Sequence, residues 1–530
     1  MSKAKPIDTQ VYVREATGLV RELGAKDIFI WTIVWYPLFA SYVNYFWYTP
    51  ALVHNVNYYL AFGLWFILFC IFPPALWWMM ISIMPKTGGD YVFTSRALHP
   101  AIGFSASFCV TFALALTAIS GGTYYGLAET AVQLETAGQI SGNQAVTAAG
   151  LLIDPFAGGS LPLIFALGVI VLVIGAAFAY FGSGVFNKVI WVIFGIGLVG
   201  LVIEVPILLM TSRSTFAAAY AQYYSGGVQG VFAAAQKGGY VPGYSMAATL
   251  LAVPVIAGSL GPYLVLGNVA GEVKNVKRSY LLGLWGAIVL SAVVWVVLTF
   301  LTDRVIGLDF IEAWTVGPGG GFPPVVSALL TVVAPNLTLN IAVALILLIS
   351  NIGFSYLGFA FASRAMLAWA FDRVAPARLA YVNEKYHSPG VAILVTLLIS
   401  LSGWTLIEFT RFTSIVLNSD VLKYVAWGVV SLSAVIMPFR KKELFDRSPV
   451  KYRIAGVPVI SILGLVSFFL YAYYIILFTT TNLFFSPSVT QVYFLAFMFV
   501  IAIAGYFVAY AYRKSKGIDI TKAFEELPPD

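Results

Sequence analysis

The chain has 530 residues, 60% hydrophobic and 10% charged, with a mean hydropathy of +0.88. A soluble domain carries about a quarter charged residues, so composition excludes one and leaves a polytopic membrane protein in a lipid bilayer. The net charge of +7 does not indicate nucleic acid, because the basic residues follow membrane topology, as shown below.

Residues 1–27 are polar and lack the apolar core of a cleaved signal peptide. A spanning helix needs about 20 apolar residues. Twelve runs meet that need: 28–53, 58–84, 101–127, 161–181, 185–210, 246–269, 280–301, 339–362, 391–406, 416–437, 457–478 and 492–512. The first holds Trp35-Tyr36-Pro37-Leu38-Phe39-Ala40-Ser41. Pro37 has no N–H and clashes with the carbonyl four residues back. It lies near the midplane at about 1.5 Å rise per residue, so a helix break is expected there. After the second run, Asp90 and Arg96 fall in a loop on the side of the N-terminus and read as a candidate gate with Glu272. The third run carries Thr117 and Ser120, and a polar, partly helical loop is expected over 128–160. Cys70 and Cys109 lie in apolar runs, so neither a metal site nor a disulfide framework is indicated.

In the fifth run Glu204 falls close to the far surface, where water is expected to reach it. The sixth holds Val253-Pro254-Val255-Ile256-Ala257-Gly258-Ser259-Leu260-Gly261-Pro262. Pro262 and the two glycines predict that the helix opens near Gly258–Gly261. Unpaired backbone groups at membrane depth are tolerated only against protein or a wet cavity. Two interruptions at similar depth, in oppositely running spans, point to an inverted repeat with its binding site between them.

Beyond the seventh run, Gly317-Pro318-Gly319-Gly320-Gly321 reads as a flexible turn. The apolar stretch 325–333 is too short to span and is expected along the outer surface. In the eighth run Asn351 and Ser355 share one helix face. They are candidates for holding substrate or a coupling ion, or for an interhelix hydrogen bond. Asp420 and Lys423, three apart in the tenth run, read as an ion pair or gate.

Lys and Arg set orientation. Of the 30, 25 fall on the side of the N-terminus, four (Arg213, Lys237, Arg304, Arg411) on the other, and Lys423 within a span. Both termini are therefore expected in the cytoplasm. His54, His99 and His387 show no metal-ligand spacing. There is no G-x-x-x-x-G-K-[ST] loop, and no Asp, Glu and His cluster at one membrane face, so an enzyme is not expected.

Half-helix ends supply chemistry without charged side chains. Freed N–H groups attract a carboxylate and freed carbonyls suit an ammonium or small cation. A zwitterion fits both. The expected substrate-binding residues are Trp35, Tyr36, Ala40, Ser41, Ala257, Gly258, Ser259 and Gly261, with Thr117, Ser120 and Asn351 shaping specificity and Ser355 a candidate ligand for a coupling ion. The alternative is a transporter-like channel or receptor for small zwitterions or organic cations.

Four segments resemble the amino acid–polyamine–organocation transporters. They are Arg21-Glu22-Leu23-Gly24 before the first span, Pro85-Lys86-Thr87-Gly88-Gly89-Asp90-Tyr91 with Ser95-Arg96-Ala97 and His99-Pro100, Gly271-Glu272-Val273-Lys274-Asn275-Val276-Lys277-Arg278, and Arg364-Ala365-Met366 through Arg373-Val374-Ala375-Pro376 with Ser388-Pro389. The resemblance implies an all-α, twelve-helix fold of two inverted five-helix repeats (28–210 and 246–437) with broken helices one and six. Two further helices (457–512) and a cytoplasmic tail (513–530) follow. It also implies uptake or exchange of amino acids or related amines. The sequence departs from the family's Gly-x-Gly at the first break and has no lysine between Val189 and Ile203 in the fifth span. The coupling ion, H+ or Na+, therefore stays open.

Overall fold

In the computed structural model, residues 18–260, 264–317, 325–410, 421–480 and 489–528 are described. The chain is helical almost throughout. In order the helices are α1 (Ala25–Trp35), α2 (Leu38–Leu52), α3 (Tyr58–Phe69), α4 (Phe72–Ile83), α5 (Gly89–Ala97), α6 (Pro100–Ser141), α7 (Gln144–Ile153), α8 (Leu161–Tyr180), α9 (Gly182–Met210), α10 (Arg213–Tyr223), α11 (Gly227–Lys237) and α12 (Met246–Leu260). A 3₁₀ segment, Leu264–Glu272, follows. Then come α13 (Val276–Val305), α14 (Leu308–Val316), α15 (Val326–Leu330), α16 (Leu337–Phe371), α17 (Gly390–Phe409), α18 (Val421–Arg440), α19 (Lys442–Asp446), α20 (Val459–Thr480) and α21 (Val489–Ser515). Among the described residues ten helices are long and apolar enough to cross a membrane. The first and sixth runs are divided into shorter pieces. Peripheral helices turn large apolar side chains outward, Val192, Val202 and Leu209 on α9 and Phe497, Val500 and Val508 on α21, as a lipid-facing surface requires.

The first break falls where proline chemistry puts it. Tyr36 is extended (φ −128°, ψ 82°) and Pro37 has φ −57°, ψ 127°. The residue before a proline is pushed out of the α region, and Pro37 leaves the carbonyl of Ile33 without its helical donor. Helix α2 restarts with Ser41 N–H donating to Pro37 O (2.8 Å). The sixth run stays α-helical through Pro254 to Leu260, and when described again, from Leu264, it is a 3₁₀ turn. Gly261 lies outside the described residues, as do Asp420 and the glycine turn from Pro318 onward.

Three expectations need correction. The segment after the third run is not a loop: α6 continues to Ser141, where Gly142 at φ 68° ends it, and Glu129, Gln133 and Glu135 are buried along that extension. Residues 326–330 do not lie along the surface; α15 is buried against α2, α6 and α9. Glu204, expected to be wet, is 2% exposed. In each case a partner distant in sequence covers a segment that looks terminal or polar locally.

The family-like loops meet on the Lys- and Arg-rich face. Gly88 adopts φ 93°, and a Cβ there would come within 2.4 Å of Ala368 Cβ; Gly89 would meet the backbone of Gly267 at 2.6 Å. Glycine is therefore required at both positions, because α5 starts hard against α16 and the 3₁₀ segment. Gly88 N–H donates to Asn268 O (3.1 Å). Before α1, the N–H groups of Glu22 and Leu23 both donate to Glu272 O (3.0 Å), which ties the start of the first span to the end of the sixth.

Candidate functional site

The break at Tyr36–Pro37 is walled by aromatic rings. Trp35 lies 4.4 Å from Phe354 and 5.2 Å from Phe361, both on α16, and Tyr36 lies 6.0 Å from Phe354. From α18, Lys423 Nζ sits 5.9 Å from the rings of both Trp35 and Trp427 and is 2% exposed. Lys423 thus lies against the first break, one residue from Tyr424, whose hydroxyl donates to Ala257 O (3.2 Å) on α12. A cation over indole faces is stabilised by their quadrupoles. Trp35 Nε1 is buried with no hydrogen-bond partner, a donor left at the interruption. The indole of Trp295 donates to Leu38 O (3.2 Å) just beyond it.

Trp35, Tyr36, Ala40, Ser41 and Ala257 are all buried here. Gly258 is half-buried inside α12, and the Ser259 side chain and Gly261 lie outside the described residues. A cavity of about 10 Å³, close to the room one water needs, opens between Pro37, Leu38, Gly197 and Ser350. Ser350 Oγ has no partner.

The remaining candidates assemble elsewhere, along the seam between α6 and α16. Asn351 Nδ2 donates to Glu129 Oε2 (2.8 Å), and its Oδ1 accepts from Asn44 Nδ2 on α2 (3.4 Å). Ser355 Oγ lies 3.4 Å from Thr123 Oγ1. A Cβ on Gly122 would meet Ser355 Oγ at 2.6 Å, and one on Gly126 would meet Asn351 at 3.1 Å. Small residues let these helices approach and polar side chains join them. Ser120 Oγ donates to Ser400 O on α17 (2.8 Å). Thr117 and Ser120 fall in a π-helical stretch, Leu114–Gly121, a wide-turn irregularity frequent at functional sites.

The gate candidates pair with α16 and its C-terminal end. Arg96 Nη1 and Nη2 donate to Asp372 (2.6 and 2.9 Å), and Arg364 Nε and Nη2 donate to Glu272 (2.8 and 3.2 Å). All four side chains are nearly inaccessible, and Ser183 Oγ also donates to Glu272. The C-terminal segment Ile520–Phe524 caps the first pair: Phe524 lies 5.0 Å below the Arg96 guanidinium, and the carbonyls of Ala523 and Glu526 accept from it (3.4 Å each). Asp90 is buried, and burial lifts its carboxyl to about 7.

On the opposite face, Glu312 of α14 accepts the backbone N–H groups of Asn55 (3.0 Å) and Val56 (3.1 Å) and the Tyr240 hydroxyl (3.3 Å). Burial raises its carboxyl and these hydrogen bonds oppose the rise. Burial lowers the neighbouring His54. Gln133 of α6, Thr331 and Asn340 form a neutral cluster at 3.0–3.2 Å.

Glu129, Asp372, Arg364 and Glu312 were not singled out from sequence as site residues. The spacing of Glu129 and Gln133, one helical turn apart in a segment free of Lys and Arg, was the available signal for the α6 extension. Among the described residues no group of three or more His, Cys, Asp or Glu is placed to hold a metal ion.

No curated protein matches the chain. Residues 33–508 match the family described as amino acid permease, a stretch running from just before the first break almost to the end of α21. With an interrupted first span, ten further apolar membrane-length helices among the described residues and that match over most of its length, the chain belongs to the amino acid permease family, multi-pass membrane transporters of amino acids.

Proposed function

We propose that the protein is a secondary active permease of the cell membrane, with both termini cytoplasmic, that moves amino acids by alternating access. The observation that carries this reading is the Tyr36–Pro37 interruption, buried among α12, α16 and α18. A broken helix offers main-chain dipoles to a zwitterion at no cost in buried formal charge. Trp35, Tyr36, Ala40, Ser41, Ala257, Gly258, Ser259 and Gly261 form the substrate contact in this reading, and Thr117, Ser120 and Asn351 shape specificity indirectly, through the α6–α16 and α6–α17 seams. Lys423, beside the break, and Asp420 serve as a further gate in this reading, and Asp90 with the pairs made by Arg96 and Glu272 closes the cytoplasmic side. Transport is coupled to H+ or Na+. Ser355, the sequence candidate for holding that ion, faces Thr123 on α6, so Ser350, beside the break, is the better placed hydroxyl.

Uptake of radiolabelled amino acids into proteoliposomes tests the reading. Saturable uptake that falls at least tenfold in Gly258→Leu is expected. Equal uptake by both proteins removes Gly258 from the site, and conductance without saturable exchange favours a channel.

A further inference from the structure

Glu204 is the least compensated acid in the membrane-spanning part of the described chain. It lies six residues before the end of α9, about 9 Å along the helix at 1.5 Å per residue. It is 2% exposed, and neither carboxylate oxygen has a hydrogen-bond partner. Glu129 differs, since one of its oxygens accepts from Asn351.

Helix geometry sets what Glu204 faces. Gly200, Glu204 and Leu208 recur every four residues on the buried side of α9. A Cβ on Gly200 would strike the ring of Phe39 on α2 at 2.5 Å, so the two helices are close there. One turn further, Tyr42 of α2 is within electrostatic range of Glu204, and its hydroxyl is hydrogen-bonded to Thr302 of α13. Helices α8, α13 and α16, together with α1 and α15, also pack on α9, and no described side chain from any of them hydrogen-bonds either oxygen of the carboxyl. The nearby Arg304 is committed to the carbonyls of Leu208, Leu209 and Thr211 at the end of α9.

We infer that Glu204 is a proton-binding site that couples proton movement to the opening of α2 away from α9. This rests on the transporter reading above. An isolated carboxylate in a dry interface is strongly disfavoured, so the closed arrangement holds the neutral acid. A bare metal cation needs several oxygens at once, whereas the Glu204 carboxyl has no polar partner among the described residues, and the hydroxyls of Tyr42 and Thr302 are already bonded to each other. Because the Tyr36–Pro37 break separates α2 from α1, α2 can tilt on its own. When it parts from α9, water reaches Glu204, the O–H bond breaks, the proton passes to water and the electron pair stays on the carboxylate. Closure requires a proton to return. The site thus favours protonation in the closed state and release in the open one, which is what coupling demands.

The test uses the full chain in liposomes. With a mixture of the twenty radiolabelled amino acids, wild-type counterflow is expected to vary with pH, and an imposed pH gradient is expected to drive accumulation of up to about tenfold per pH unit for one-to-one coupling. In Glu204→Gln the pH dependence of counterflow is lost and accumulation falls to about onefold. Infrared difference spectra supply a readout that needs no substrate: the buried neutral carboxylic acids give a carbonyl stretch, and the component due to Glu204 is present in wild type and missing from Glu204→Gln. If that variant does not fold, Glu204→Asp carries the test and is expected to shift the pH profile while keeping the band. Unchanged gradient-driven accumulation in Glu204→Gln, an unchanged infrared band, or accumulation driven by Na+ and abolished by the substitution would each overturn the inference. Absence of wild-type counterflow for every amino acid would instead overturn the transporter reading, and the infrared band would still report whether Glu204 holds a proton.

Discussion

The two faces of the molecule are closed by different chemistry. On the Lys- and Arg-rich face, bidentate ion pairs bury four charges, Arg96–Asp372 and Arg364–Glu272. On the opposite face the buried contacts are neutral or one-sided, namely the Gln133–Thr331–Asn340 cluster, the apolar turn α15, and Glu312 held by backbone N–H groups, while the ion pair Arg213–Asp309 (2.6 Å) is exposed to solvent. A buried ion pair adds little net stability when intact, yet removing one partner costs about 3–5 kcal/mol because the other charge is stranded. A neutral hydrogen bond contributes about 1 kcal/mol. In the proposed alternating-access cycle the first face would open only with each pair rehydrated as a unit, whereas the second would open in small steps.

The largest effect that sharpens this contrast is expected at Arg364. Arg364→Met leaves Glu272 buried with only the Ser183 hydroxyl, a loss of about 3–5 kcal/mol. The purified protein should melt well below wild type. Adding Glu272→Leu should recover much of the loss, since two apolar groups replace a pair. If the double variant is as unstable as the single one, the pair is not what closes this face.

Asp90 gives the same face a pH response. Its folded carboxyl is raised to about 7 from an ordinary 3.8, with burial the largest cause. A raised acid contributes stability that is complete below the unfolded value and is lost as pH rises through the folded one. The melting temperature should therefore fall as pH is taken through about 7, and Asp90→Asn should flatten that stretch of the profile. An identical slope in the variant would assign the pH response to another group.

On the opposite face Glu312→Gln is expected to cost about 1–3 kcal/mol. An amide can still accept through its oxygen, but its NH2 group would face the N–H of Asn55 or Val56. Hydrogen exchange at those two amides should quicken while the amides around Arg96 stay protected. Equal quickening on both faces would mean that the two closures are not separate.

The first interruption was legible from sequence because proline acts locally: Pro37 removes one donor and constrains one neighbour, whatever surrounds it. The apolar runs were legible for the same reason, since hydrophobicity is a property of the segment. What decides the ends of the helices is not local. The α6 extension is polar, and it stays helical and buried because Asn351, 222 residues away in sequence, meets Glu129. Asp90, Arg96 and Glu272 were recognisable as charges near one face, but their order could not reveal that Arg96 would choose Asp372, 276 residues on. Glu204 looked wet by depth alone, and its burial comes from other helices, α2 among them, packing on α9.

Thr331→Val should give the smallest effect and the cleanest measure of the neutral closure. The substitution keeps shape and removes a hydroxyl that donates to Asn340 Oδ1 (3.0 Å) and accepts from Gln133 Nε2 (3.1 Å). One of the two Gln133 amide N–H groups keeps its acceptor in Asn340 (3.2 Å) and the other loses its partner, so the loss should be about 1–2 kcal/mol. Asn340→Ala removes that second acceptor as well as the first bond, and in the Thr331→Val background it leaves the Gln133 amide without either. The pair should therefore lose more than the sum of the singles, because neighbours in one hydrogen-bond network do not add. Strict additivity would show that Gln133 finds water there, and that this face is already partly open.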